Sequence, residues 1–193
     1  MKQGTNILIA GVGGQGTLLT SRILGRYALS QGLEAKVSEV HGMAQRGGCV
    51  IGHNRIGRSI ADLYSPIIPA GGAHLLIAFE PAEAVRQLHF LSRDGRAVVC
   101  DTAVKPIGGG AEYDGTEALT YLRENVKYLN IIPGAEIMRT CAKALNVALC
   151  AAAAEAGALP FDANALWKVI PEIIPERFIE INRTAFELGR RLI

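Results

Sequence analysis

The chain has 193 residues, of which 49% are hydrophobic and 20% are charged, so its composition is that of an ordinary globular protein and its length suits one α/β domain. A formal net charge of +2 is too small to indicate a nucleic acid or an anionic membrane as the partner. No apolar run reaches the roughly 20 residues of a membrane span, and the N-terminus lacks signal-peptide features, so we expect a cytoplasmic protein without a membrane partner.

Short apolar runs alternate with helical patterns along most of the chain. Strands are predicted at 6–10, 34–40, 49–53, 74–79, 97–100 and 127–132, with a hairpin over 54–63. Helices are predicted at 15–30, from 81 onward, and at 137–156, 162–170 and 175–191. This alternation predicts an α/β, Rossmann-like fold, in which a mostly parallel sheet carries helices on both faces and a helical hairpin forms the C-terminus. We expect a single domain over 1–193, with its C-terminal helices at about 137–193.

The cysteine pattern argues against a metal centre held by this chain. Cys49, Cys100, Cys141 and Cys150 are widely spaced, and no two of them form a C-x-x-C pair. Iron–sulfur clusters need closely grouped thiolates, so these residues are interpreted as buried thiols in a reducing compartment. We therefore predict no metal ligands.

The first motif is a glycine turn between the first predicted strand and helix. Its sequence Gly-Val-Gly-Gly-Gln-Gly fits G-x-G-x-x-G, and its candidate cofactor-binding residues are Gly11, Gly13, Gly14, Gln15 and Gly16. Glycines allow a tight turn and close approach of a ligand, and the helix N-terminus attracts an anion. A dinucleotide site, with Glu39 near the ribose, is one interpretation. The other is that Gly14 and Gly16 only allow the helix to pack closely on the strand.

The second motif is the polar loop that follows the next predicted strand. Its sequence Ser-Glu-Val-His-Gly-Met-Ala-Gln-Arg-Gly-Gly spans 38–48 and places a carboxylate, an imidazole, a carboxamide and a guanidinium between glycines. Open α/β sheets bind ligands or partners at such carboxyl ends of strands. The alternative is a solvated loop that is capped by its own side chains.

Together these motifs resemble the γ-type domain of the 2-oxoacid:ferredoxin oxidoreductases, and the form of the 38–48 loop resembles the indolepyruvate branch. Further similar segments lie at 142–149 and 182–189, so the resemblance spans most of the chain in family order. It implies that this chain is a small subunit, and that a large α subunit carries thiamine diphosphate and [4Fe–4S] clusters. The implied reaction converts an arylpyruvate, coenzyme A (CoA) and oxidised ferredoxin to the aryl-acetyl-CoA, carbon dioxide and reduced ferredoxin.

The resemblance also implies contributory roles for the loop residues in the partner's active site. Arg46 would pair with a phosphate or carboxylate, and His41 would donate a hydrogen bond or relay a proton. Gln45 and Glu39 would orient them. The glycine-turn amides would receive an anionic group of CoA or of another nucleotide-like ligand, together with Ser38, Gly47 and Gly48. The alternative is that the whole loop is subunit interface.

Two other functions remain open from the sequence. The first is an independent NAD(P)-binding oxidoreductase, although no Tyr-x-x-x-Lys or similar catalytic pair is recognisable. The second is a non-catalytic nucleotide-binding module, which would need no thiamine-containing partner.

Overall fold

The computed structural model describes residues 4–42, 48–105, 113–158 and 163–193. Within these ranges the strands are β1 (Thr5–Val12), β2 (Glu34–His41), β3 (Cys49–Gly57), β4 (Ala73–Ala78), β5 (Leu91–Cys100) and β6 (Tyr128–Ile132). The α-helices are α1 (Thr17–Ser30), α2 (Pro81–Arg86), α3 (Thr116–Asn125), α4 (Gly134–Cys141), α5 (Leu145–Glu155), α6 (Ala163–Val169) and α7 (Ile179–Arg191).

The strands form one mixed sheet in the order β2-β3-β1-β4-β5-β6. The four strands β1, β4, β5 and β6 are parallel, whereas β3 runs antiparallel to both β1 and β2. The sheet is thus mostly parallel, as predicted, with one reversed strand. The reversal follows from the connection between β2 and β3, since residues 42–48 are too few for the crossover of a dozen or more residues that parallel neighbours require.

Apolar side chains of β1 alternate between two separate cores. Ile7 and Ile9 face the larger core, which includes residues of α1, α5 and α7. Leu8 and Ala10 face the smaller core, which includes residues of α2 and α3. The prediction that helices cover both faces is therefore confirmed, and the strand pattern is continuously apolar because both faces are covered.

Several local elements differ from the prediction. The single helix expected over 137–156 is two helices, α4 and α5, which are separated by a turn. Residues 60–62 form a 3₁₀ turn instead of a strand, because the Ser59 hydroxyl accepts a hydrogen bond from the Ala61 amide and starts a helical turn. Helix α3 was not predicted. It buries only Leu122 fully, so its sequence carries a weak apolar pattern.

Helix α7 packs mainly on α5 and α4, and it meets α6 where the rings of Trp167 and Phe186 lie 5.2 Å apart. Helix α5 is buried on nearly every side, from Leu145 to Ala154. The C-terminal helices are therefore part of the larger core and cover one face of the sheet.

Candidate functional site

The glycine turn connects β1 to α1 through two residues in the left-handed region. Gly14 has φ 97° and Gly16 has φ 90°, values that disfavour any residue with a side chain. A Cβ on Gly16 would also lie 3.0 Å from Nδ2 of Asn146, and a Cβ on Gly11 would lie 2.9 Å from Oε1 of Gln15. These glycines are therefore needed both for the turn and for the close packing around it.

Gln15 closes the gap between the carboxyl ends of β1 and β4. Its Oε1 accepts a hydrogen bond from the Val12 amide at 2.7 Å, and its Nε2 donates one to the Phe79 carbonyl at 3.2 Å. The sequence suggested Gln15 as a cofactor-binding residue. In the structure both ends of its carboxamide bond the protein backbone, so its observed contribution is to hold the turn in place.

The N-terminus of α1 lacks a capping side chain. Gly16 is the N-cap, no side chain accepts a hydrogen bond there, and the first turn contains no acidic residue. The first amides of a helix have no partner within the helix and carry a partial positive charge. The 14-residue helix α1 therefore directs unsatisfied donors towards the space beside the turn.

The polar loop starts from the edge strand β2. Oε2 of Glu39 lies 3.4 Å from Nε2 of His41, and the Glu39 side chain is 13% exposed while that of His41 is 62% exposed. Oε1 of Glu39 is buried and has no hydrogen-bond partner among the described residues. Glu39 is thus a mostly buried carboxylate that contacts an exposed imidazole, and its orienting role stays a prediction.

Not every predicted loop residue lies on the same side of the sheet. Ser38 pairs in register with His53, which contacts Phe90 on the α2 face, whereas Glu39 pairs with Gly52, which packs on Ser21 of α1. Side chains alternate along a strand, so Ser38 lies on the face opposite Glu39 and His41. Gln45, Arg46 and Gly47 lie outside the described residues, and their assigned roles stay predictions.

The two loops meet along a shared cleft. The Gly13 amide donates a hydrogen bond to the Gly48 carbonyl at 2.9 Å, and the Gly42 amide donates one to the Cys49 carbonyl at 2.7 Å. The cleft has a volume of about 670 Å³ and is lined by Gly13, Gly14, Gly16, Thr17, Leu18, His41, Gly42 and Val50. Among the described lining residues the polar side chains are those of Thr17 and His41, and together with the backbone amides they form a set that can bind an anion but includes no nucleophile with an attached base.

Asn146 is a neighbour of this site that was not among the predicted site residues. It is 4% exposed, and its carboxamide packs against Gly16. Because Asn146 lies within the 142–149 segment of the family resemblance, that segment was the signal that could have identified it. Only the fold brings α5 against the glycine turn.

A second polar cluster lies across the sheet, at the start of α2. Oε2 of Glu80 accepts a hydrogen bond from the Glu83 amide at 2.9 Å, and the Tyr113 hydroxyl donates to Oε1 of Glu80. Glu83 is paired with Arg86. Burial, reinforced by Glu83, raises the pKa of the Cys49 thiol to about 12, so Cys49 is not a reactive thiolate at neutral pH.

The described part of the chain gathers no three His, Cys, Asp or Glu side chains that could hold a metal ion. Cys100, Cys141 and Cys150 are buried at separate positions in the larger core, and Cys49 is partly buried at the start of β3. The cysteines therefore do not fit the thiolate set of an iron–sulfur cluster. None of the described helices is both long enough and apolar enough to cross a membrane.

The order of the strands in the sheet argues against the dinucleotide interpretation. In a dinucleotide-binding Rossmann domain β2 neighbours β1, and its acidic residue can reach a ribose beside the glycine turn. Here β3 lies between them, with Gly52 opposite both Glu39 and Ile9. Glu39 is therefore two strand spacings from β1, roughly 10 Å, so it does not occupy the position of a ribose-binding acid.

Two known proteins that are similar to this chain over most of its length share the same name. The indolepyruvate oxidoreductase subunit IorB of Pyrococcus horikoshii is 34% identical, over 95% of this chain and 93% of that protein. The subunit of the same name from Archaeoglobus fulgidus is 35% identical, over 95% and 92%.

Solved structures share the fold. The pyruvate oxidoreductase subunit PORC of Thermotoga maritima aligns with a TM-score of 0.68 and 18% identity, covering 98% of this chain and 96% of that one. The 2-oxoglutarate:ferredoxin oxidoreductase of Magnetococcus marinus aligns with a TM-score of 0.74 and 19% identity, covering 100% of this chain and 31% of that one. Residues 6–192 match the family described as pyruvate ferredoxin/flavodoxin oxidoreductase. The chain belongs to the pyruvate ferredoxin/flavodoxin oxidoreductase family.

Proposed function

We propose that this chain is the small subunit of an indolepyruvate-type 2-oxoacid:ferredoxin oxidoreductase and has no activity alone. The complex would convert an arylpyruvate, CoA and oxidised ferredoxin to aryl-acetyl-CoA, carbon dioxide and reduced ferredoxin. The observation that carries the proposal is the cleft formed by the joined loops, whose described lining offers anion-binding amides but no complete catalytic set. The names of the curated relatives support the same substrate class.

The chemistry at the 2-oxo carbon would depend on groups that the larger α subunit holds. Thiamine diphosphate supplies carbanion stabilisation when bound there, and [4Fe–4S] clusters pass electrons to ferredoxin. This chain would contribute as one γ-type domain over 1–193.

The cleft would hold an anionic group of CoA. The free amides at the start of α1, where Gly16, Thr17 and Leu18 line the cleft, are suited to a phosphate. His41 would donate a hydrogen bond to a group bound between the subunits, with Glu39 holding its ring. The proposed contributions of Arg46 and Gln45 rest on residue type and loop position alone.

Purification from the native organism tests this function. An affinity-tagged chain, isolated without oxygen, should retain a larger subunit that contains thiamine diphosphate and iron–sulfur clusters. The complex should reduce ferredoxin only when indolepyruvate and CoA are both supplied. Turnover by the isolated chain, or retention of no such subunit, would contradict the proposal.

A further inference from the structure

A concave apolar pocket lies between the start of α1, the turn before α5 and the start of α7. Its volume is about 310 Å³, and its apolar walls are Leu19, Ile173, Ile174, Pro175, Phe178 and Ile181. We call this cavity the α7 pocket. Its volume is at the lower end of the roughly 300–1,000 Å³ found for small-molecule sites, so it suits one large apolar group.

The mouth of the α7 pocket is apolar and open in the isolated chain. Phe178 and Ile181 are each 37% exposed, although the other side of α7 packs Ala185 and Phe186 into the core. Large side chains that are exposed next to a pocket are typical of protein interfaces, where apolar anchors insert into such cavities.

The lining of the α7 pocket also includes a cationic side chain. Lys143 lines the α7 pocket, is exposed, and pairs with no carboxylate within the ranges that the structure describes. A lysine at the edge of an apolar anchor site favours a partner with an acidic group next to its apolar side chain. The pocket therefore has both a shape and a charge preference.

The α7 pocket and the cleft of the candidate site both border the first turn of α1. Leu18 lines the cleft and the next residue, Leu19, lines the pocket. Lys143 lies on the turn that leads into α5, three residues before Asn146, which packs on Gly16. The two cavities are therefore close neighbours, and one polypeptide that covers the cleft is near enough to reach the pocket.

We infer that the α7 pocket is a docking site for the larger subunit, which inserts an apolar side chain there and pairs an adjacent carboxylate with Lys143. The inference rests on the proposed function, because it requires that subunit. It assigns part of the subunit interface to α7 and the turn before α5, outside the two loops.

The test measures binding between the chain and the larger thiamine-containing subunit. Ile181→Asp should weaken binding about 30-fold or more, because docking would bury the new carboxylate of the pocket wall against the inserted apolar side chain. Lys143→Glu should weaken it about tenfold by placing like charges together. The matched control is Tyr64→Asp, which changes an apolar residue that is 86% exposed in the segment between β3 and β4, at the opposite end of the parallel strands. The control should bind within about twofold of wild type.

The outcomes separate the two proposals. If wild-type chain retains the larger subunit and both variants bind it equally well, the docking site is wrong and the proposed function stands. If wild-type chain retains no such subunit, both fail. Thermal melting checks that each variant is folded. If Ile181→Asp is unfolded, the binding of Lys143→Glu alone tests the docking site. Binding of indole-3-acetate, or self-association of the chain, that Ile181→Asp abolishes without changing assembly would also overturn the inference.

Discussion

Gly14 and Gly16 have nearly the same backbone conformation but different surroundings. Both have positive φ, at 97° and 90°. A Cβ on Gly14 would meet nothing within 4 Å, whereas a Cβ on Gly16 would press on the Asn146 side chain. The two positions therefore separate the cost of the left-handed conformation from the cost of close packing.

We predict that Gly14→Ala lowers the free energy of unfolding by about 1–2 kcal/mol, the cost of left-handed backbone for a residue with a Cβ. Gly16→Ala should cost about 1 kcal/mol more, because the Asn146 side chain must also move. Urea denaturation of both variants measures the difference. Equal losses of unfolding free energy in the two variants would mean that the Asn146 side chain moves aside without an energetic cost. Adding Asn146→Ala to Gly16→Ala should remove only the packing part, as a double-mutant cycle would show.

Gln15 shows how far a sequence motif predicts a site residue. The motif correctly places a polar residue in the turn between strand and helix. It does not show that the side chain reaches Phe79, whose carbonyl lies 64 residues away in the chain. That bond depends on β4 pairing beside β1, which is a tertiary contact that no local pattern encodes. The contact of Asn146 with Gly16 was not predicted for the same reason, since α5 reaches the glycine turn only in the folded chain.

Helices α5 and α7 approach so closely that their backbones touch. A Cβ on Gly189 would lie 2.1 Å from the Ala148 carbonyl oxygen, which leaves no room for a side chain. The alanines around position 152 make the same approach possible from the α5 side, because small residues allow helix axes to come together. The short compositional bias in the sequence is therefore a packing surface.

We predict that Gly189→Ala lowers the free energy of unfolding by at least about 2 kcal/mol, because α7 must move away from α5. The matched control is Gly25→Ala in α1, where the new Cβ would meet only Cγ2 of Val37 at 3.4 Å. That change should be neutral or stabilise by up to about 1 kcal/mol, since alanine favours a helix over glycine. Chemical denaturation under identical conditions compares them. A smaller loss at Gly189 than at Gly25 would contradict the packing seen here.

At the scale of elements, strong apolar patterns were predicted correctly and weak ones were not. Strand β4 and helix α1 follow continuous or periodic apolar runs, and both were expected close to their observed bounds. Helix α3 was missed because it lies mostly exposed on the surface. The break between α4 and α5 was missed because the alanine-rich sequence has no proline or glycine there, and only tertiary packing turns the chain.

At the scale of the whole molecule, the position of the cleft depends on the reversed strand β3. Because β3 separates β2 from β1, the glycine turn and the end of β2 are not adjacent strand ends, and among the described residues the glycine turn meets the polar loop through the Gly13–Gly48 hydrogen bond. The shortness of residues 42–48 could have revealed the reversal, since an antiparallel return is the only connection of that length that keeps neighbouring strands paired. The result is an open cleft at one end of the sheet.

This topology predicts that the isolated chain has no dinucleotide site. Glu39 lies too far from β1 for a ribose hydroxyl, because β3 lies between β2 and β1. Titration of NADH into the isolated chain, followed by calorimetry, should give no saturable binding up to millimolar concentration. Glu39→Gln should leave that result unchanged, since the carboxylate contacts His41 instead of a nucleotide. Micromolar binding that Glu39→Gln weakens would contradict this account, because Glu39 would then have to reach a ligand across β3.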